Sequence, residues 1–420
     1  MSDGIPETIA LGVFIFTYAL ISFNRRGKSR VELPAAALIG GALMLIFGIV
    51  KPSAALAGIN WNTIILILGM MLIAAAMDAT GFFAWVASIV SRSRSPAKLL
   101  VVVCAVTALL SALILNDAVV LIFSPVVILT ARRMSVNPVP YLIMEAMSAN
   151  IGSAATEVGN PQNAYIASVS TVPFHTFTIL ALPPTVLSLV AAIIIALFIG
   201  KVHFSNSDFS ARGRIEGEIV IRKGPIEFML LIVSAVFAGF YASSFTHFPI
   251  AMTALIGGIV SLVAVPFMSD TTNQQILQKV DWGIILFFIG LFILISGVQS
   301  SGLLTTIVGY FQKASGGSAG TVAGMTVLTA ILSNLTSNVP AVLLLAPVVQ
   351  SIAPTTRIWL TLALSSTFAG NATIIGAAAN VIVARAASKQ GIHISLSEFA
   401  KYGIPITLVS LLLTVAALSF

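Results

Sequence analysis

Two polar sites interrupt apolar sequence long enough to cross a membrane. Asn116-Asp117 breaks the stretch 99–131, and Asn334-Leu335-Thr336-Ser337-Asn338-Val339-Pro340 breaks a second stretch at about 318–352. A carboxylate in hydrocarbon is costly unless it is paired, hydrated or protonated, so Asp117 reads as functional. At a hairpin tip it can face helix N-termini, whose dipoles favour its charge. A carboxyl withdrawn from water also takes up a proton more readily, so Asp117 is a candidate carrier of a transported proton. The structural alternative, a residue capping the second arm, is compatible with that role.

A second kind of polar site is the run Asn150-Ile151-Gly152-Ser153-Ala154-Ala155-Thr156-Glu157-Val158-Gly159-Asn160-Pro161-Gln162-Asn163. Gly159 and Pro161 both oppose helix continuation, so the helix is expected to stop there. Asn160, Gln162 and Asn163 can satisfy the freed backbone or a ligand, and the counterpart of this run is Ser365-Ser366-Thr367 and Gly370-Asn371-Ala372-Thr373, leading into Gly376 and Asn380. Small residues alone more often mean close helix packing; repeated around a breaker, they suggest a binding site. Candidate solute contacts are Asn116, Asn150, Ser153, Thr156, Gly159, Asn160 and Asn163 in the first half, and Thr336, Asn338, Gly370, Asn371, Thr373, Gly376 and Asn380 in the second. Glu157 has no counterpart, Ile374 standing in its place, and joins Asp117 as a candidate proton carrier. Asp78 and Glu145 are expected to be interfacial or salt-bridged.

The elements that hold these residues repeat. Trp61, Gly69 and Gly81 match Trp282, Gly290 and Gly302 at an offset of 221; Asn116 and Pro125 match Asn338 and Pro347 at 222; Ala155 to Asn163 matches Ala372 to Asn380 at 217. Two related halves with polar breaks at membrane depth are the signature of a secondary transporter. With 58% hydrophobic and 8% charged residues, against roughly 25% charged in soluble domains, the chain is an all-α polytopic membrane protein. The single Cys104 excludes an intrachain disulfide, and no metal or cofactor site is expected. Gly27-Lys28-Ser29 lacks the glycine at position 22 that a phosphate loop requires. No catalytic Ser-His-Asp, paired-Cys or HExxH pattern supports an enzyme. The formal charge of +7 comes from short loops, which favours positive-inside topology over nucleic-acid binding.

Basic loops set the orientation. Arg25 to Arg30, Arg92 to Lys98 and Arg132-Arg133 mark the cytoplasmic side, leaving only Lys51, Lys313 and Arg357 outside. The first inverted repeat is expected over 1–200, with a re-entrant hairpin at 99–131 and a broken helix at 139–172. A cytoplasmic linker at 201–225 leads to the second repeat, 226–420, with a hairpin at about 318–352 and a broken helix at about 356–388. Each repeat contributes five spans, so about ten spans and two hairpins are expected. Both termini would lie on the outer side of a bacterial or archaeal cytoplasmic (inner) membrane.

At these residues the chain resembles the ion transporter superfamily over most of its length. Gly159-Asn160-Pro161-Gln162-Asn163 looks like that family's G-x-P-x-N break. Dicarboxylate/sodium symporters carry Ser-Asn-Thr at both tips, a pattern absent here. The Asn116-Asp117 tip, with its apolar run ending in Ser124-Pro125, is instead similar to ArsB-type arsenite permeases. That resemblance implies efflux of arsenite or antimonite driven by a proton gradient and, for some members, a soluble ATPase partner. Arsenite at neutral pH is mostly the uncharged trihydroxide, which suits a site of amides, hydroxyls and backbone groups without a cationic clamp. A sodium-coupled anion symporter or a sodium/proton antiporter of the same superfamily is the open alternative.

Overall fold

The computed structural model describes residues 4–25, 31–93, 95–200, 223–314, 321–352 and 354–419. Residues 26–30, and 201–222 of the expected linker, lie outside them. Every regular element among the described residues is helical, and the helices fall into two corresponding sets. The first is α1 (Gly4–Arg25), α2 (Leu33–Ile46), α3 (Pro52–Ala57), α4 (Trp61–Ala79), α5 (Phe82–Val90), α6 (Pro96–Leu113), α7 (Asn116–Arg133), α8 (Val139–Ser153), α9 (Pro161–Val169) and α10 (Phe174–Gly200). The second is α11 (Lys223–Thr246), α12 (Ile250–Ala264), α13 (Asn273–Gln278), α14 (Trp282–Ser300), α15 (Leu303–Ala314), α16 (Val322–Thr336), α17 (Asn338–Ile352), α18 (Thr356–Ala369), α19 (Ala378–Lys389) and α20 (Leu396–Leu418).

Among the described residues eight helices are long and apolar enough to cross a membrane: α1, α4, α6, α10, α11, α12 with its 3-10 extension, α14 and α20. Seven are expected spans. The eighth, α6, is an arm of the first hairpin; its 18 residues measure about 27 Å, a deeper arm than the interval 99–131 suggests. The remaining expected spans are the two broken helices, α8/α9 and α18/α19, and 33–50, where α2 stops at Ile46. The short helices α3, α5, α13 and α15 were not expected. Helices α5 and α15 follow Gly81 and Gly302, whose φ values of +79° and +83° reverse the chain, a conformation that a side chain would strain.

Packing partners come in matched couples. Helix α2 packs on α14 and α12 on α4, each crossing from one repeat into the other. Hairpin arm α6 packs on α8 as α16 does on α18, while α10 meets α20 directly. Helices α6–α10 with α16–α20 form one packed body, and α1–α4 with α11–α14 the other, the latter made of two tight cross-repeat groups that touch each other thinly through α14 and α4. Contacts between the two bodies are thin, mainly α4 with α9 and α10 with α11.

The cross-repeat couples depend on absent side chains. A Cβ on Gly69 would land on the Ala254 carbonyl carbon, and one on Gly290 would land on that of Ala37. Gly258 and Gly41 complete the same two crossings against the Gly69 and Gly290 carbonyls. Backbone approach of this kind drives helix association in lipid, where no hydrophobic effect separates one apolar surface from another. Gly69→Leu or Gly290→Leu is expected to destabilise by at least about 1–3 kcal/mol through overpacking, read as a lower melting temperature in detergent. Gly12→Leu, with no atom within 4 Å of the added Cβ, should leave it unchanged.

Candidate functional site

Each hairpin tip rests on the break of its own repeat. Helix α6 ends at Leu113, Ile114 and Leu115 turn the chain, and Asn116-Asp117 opens α7. Asp117 is therefore in the first turn of α7 and does not cap it, the N-cap being Leu115. The Asn116 backbone N–H donates to Gly159 O at 2.9 Å, and Thr156 Oγ1 donates to Ala112 O at 2.7 Å. In the second repeat Ser337, with φ +88°, turns the chain and Asn338 opens α17. The Asn338 amide nitrogen faces Ser333 Oγ at 2.7 Å and the carbonyls of Ser366 and Gly376, both at 3.0 Å. Ser333 passes its own proton to Ser366 O at 3.0 Å.

The two breaks are closed in the same way. Asn163 Nδ2 donates to Thr156 O at 2.9 Å and Ser153 O at 3.4 Å. Asn380 Nδ2 donates to the corresponding carbonyls, Thr373 O at 2.9 Å and Gly370 O at 2.7 Å. A broken helix frees carbonyls that lipid cannot satisfy, and these two amides hold them. Glycine is required beside them: a Cβ on Gly159 would collide with Ser153 O, and one on Gly376 would come within 2.6 Å of Gly370 O. Asn160 adds a cap found only in the first repeat, accepting from Asn163 N at 2.9 Å; Ala377 holds that place at the start of α19.

Asn150 joins the halves. Its Nδ2 donates to Asn371 Oδ1 at 2.8 Å and Asn380 Oδ1 at 2.9 Å, and its Oδ1 accepts from Asn116 Nδ2 at 3.2 Å. Asn160 Nδ2 donates to Ser153 Oγ at 3.0 Å and reaches Thr367 Oγ1 at 3.4 Å. Of the expected solute contacts only Thr336 stands apart, its hydroxyl bonded back to Leu332 O at 2.9 Å in its own helix. Gln162 and Thr367, which the sequence places in the two polar runs beside the candidate contacts, meet at 3.2 Å. Thr367 stands 217 residues after Asn150, so the repeat itself points to it.

Four breaks in the helical path meet here, each pairing one helix C-terminus with one N-terminus. The pairs are α6 with α7, α8 with α9, α16 with α17 and α18 with α19. Their dipoles oppose one another, so the backbone lining carries donors and acceptors in equal measure and favours neither sign of charge. Ser111 Oγ, Asn116 Oδ1, Asn163 Oδ1 and Thr373 Oγ1 are buried with no hydrogen-bond partner. No Lys or Arg takes part in this hydrogen-bond network.

The acidic residues divide. Asp78 pairs with Lys279, as expected. Glu145 is neither interfacial nor salt-bridged: it is fully buried in α8, bonded through Oε1 to Ser124 Oγ at 3.0 Å, with Oε2 unpartnered. Ser124 has one hydroxyl proton and a second acceptor, Val120 O, at 2.7 Å. The one hydroxyl proton of Ser124 is therefore shared between Val120 O and Glu145 Oε1. Glu157 is 1% exposed, with Oε1 unpartnered.

The architecture is that of a multi-pass secondary transporter with discontinuous helices. It is similar to the crystal structure of the Alcanivorax borkumensis YdaH transporter, with a TM-score of 0.63 at 15% identity over 87% of this chain and 86% of that one. The chain belongs to the citrate transporter family, CitMHS, of the ion transporter superfamily, whose model matches residues 18–369. An uncharacterized transporter of Mycobacterium tuberculosis is 33% identical over 97% of this chain and 96% of its own. The silicon efflux transporter LSI3 of Oryza sativa subsp. japonica is 28% identical over 96% and 95%.

Asn163→Ala and Asn380→Ala should each cost about 1–3 kcal/mol by stranding buried carbonyls, with similar losses of thermal stability because they do the same work. Glu145→Gln is expected to keep stability within about 1 kcal/mol and to leave the pH profile of transport unchanged. Glu145→Lys, burying an unpaired charge, should prevent folding.

Proposed function

We propose that this transporter exports small neutral hydroxides, arsenite and antimonite above all, by proton antiport. The observation that carries the reading is the lining itself. Amides, hydroxyls and four opposed pairs of helix ends supply donors and acceptors together, with no cationic side chain in the network. Each hydroxyl of a neutral arsenic, antimony or silicon hydroxide both donates and accepts, so such a solute can satisfy both kinds of partner. One lone cysteine gives no multidentate thiolate trap, so binding by hydrogen bonds is reversible. A relative named for silicon efflux supports the same chemical class.

Asp117 and Glu157 carry the coupling proton in this scheme, and the expected solute contacts, Thr336 excepted, surround the solute. The body formed by α6–α10 and α16–α20 moves as a unit against the other, an elevator-like alternation that their thin mutual contact would permit. The basic loops orient both termini to the outside of the cytoplasmic membrane.

A second reading has a specific observation behind it. The family model is that of citrate transporters, and a polycarboxylate could bind if a coupling cation supplied the charge that the lining lacks.

Everted vesicles separate the two. Arsenite uptake energised by a proton gradient, abolished by a protonophore and by Asp117→Asn, is the expected result. Uptake of citrate that requires Na⁺, with no arsenite uptake under either gradient, would replace the arsenite reading with the anion one.

A further inference from the structure

Asp117 and Glu157 open into different cavities. A cavity of about 370 Å³ is lined by Glu157 together with Asn62, Ser170, Thr171, Ser243 and His247. A second, of about 290 Å³, is lined by Asp117 together with Ala118, Asp78, Lys279, Asp281 and Pro161. Helix α4 places them relative to one another. Asn62 and Leu66 line the first, whereas Met71, Ala74, Ala75 and Asp78 line the second. From Asn62 to Asp78 the helix rises about 24 Å, so the cavities lie at opposite ends of a membrane-spanning helix.

The break between α8 and α9 forms the partition. Glu157, within the break, faces the first cavity, and Pro161, which opens α9, faces the second. Between them stand Asn160, Gln162, Asn163 and Thr367, joined by the hydrogen bonds already described. The Thr367 hydroxyl accepts from both the Asn160 and Gln162 amides and gives its own proton to Ala363 O at 2.8 Å, so it does not pass one on to either amide. No titratable side chain takes part in that link, so the partition offers no fixed relay from one carboxyl to the other.

We propose that the two carboxyls load from opposite sides of the membrane. Glu157 receives a proton from hydronium in the cavity at the Asn62 end of α4, where the titratable neighbour is His247. Asp117 exchanges its proton with the cavity at the Asp78 end, beside the charged groups Asp78, Lys279 and Asp281. In each case the proton passes from hydronium to carboxylate and leaves water behind, and release is the reverse. The coupling proton thus has separate doors, and passage between them requires movement of the break. Glu157 suits the first door because it lines that cavity and its Oε1 is buried and unpartnered.

The inference rests on the two carboxyls being the coupling groups but not on the identity of the solute. It is tested without any solute. In a Cys104→Ser background, Glu157→Cys and Asp117→Cys are exposed to a membrane-impermeant thiol reagent from one face at a time, using right-side-out and everted vesicles of the full-length protein. Ser170→Cys and Ala118→Cys report on the same two walls if the carboxyl variants fail to fold. The expected result is that Glu157→Cys and Ser170→Cys label from one face and lose labelling when reagent is confined to the other, while Asp117→Cys and Ala118→Cys do the reverse. Labelling of both pairs from the same face, or of neither pair from either face, overturns the proposal. Failure of arsenite uptake would leave it standing, just as a failed labelling pattern would leave arsenite export standing.

Discussion

Lipid offers no hydrogen bonds, so a helix that stops inside the membrane must find partners for every carbonyl and amide it releases. In this protein that constraint is met twice by the same device: an asparagine one turn into the following half-helix reaches back across the gap. Asn163 and Asn380 fix the width of their breaks, and the widths fix where the hairpin tips can rest. Asn116 and Asn338 then bind against loops that are already closed. Asn150 can bridge the halves only because both breaks present their polar faces at one depth.

Two kinds of residue thus occupy what looks in sequence like one polar motif. Asn163, Asn380, Gly159 and Gly376 hold the backbone, whereas Asn150, Asn371 and Thr367 connect the halves. Glu157 belongs to neither group, since it lines a cavity with its Oε1 left unpartnered. A glutamate at its position cannot be read from the surrounding small residues, whose role is to let the backbone close.

Much of this was legible in the sequence because breaks and hairpins carry strong local signals. In the first repeat α8 already ends at Ser153, six residues before Gly159, and Pro161 opens α9; in the second repeat α18 ends at Ala369, beside Gly370, and the matched Gly69 and Gly290 prove to be the two crossings at which helices touch backbone to backbone. Thr367 lies in the run Ser365-Ser366-Thr367 that the sequence marks before the second break, and its register against Asn150 singles it out within that run. Glu145 was misjudged. A glutamate near the middle of a helix suggests an ion pair, and nothing local to it reveals that Ser124, on the preceding hairpin arm, supplies a neutral partner. The short α3, α5, α13 and α15 escaped because six to twelve residues are too few for a periodic pattern to stand out.

The three buried or cavity-facing acids of the body formed by α6–α10 and α16–α20, Asp117, Glu145 and Glu157, all belong to the first repeat; their counterparts are Val339, Leu362 and Ile374. Were the halves identical, exchanging their conformations would turn the inward form into the outward one at no cost, and the molecule would be a balanced two-position toggle. Backbone packing supplies that near-degeneracy through its matched couples. The acids remove it, because protonation adds to or subtracts from one half alone. A difference of about 1.4 kcal/mol shifts such an equilibrium tenfold, so under the proposed proton coupling a single proton on one repeat would decide which way the molecule rests.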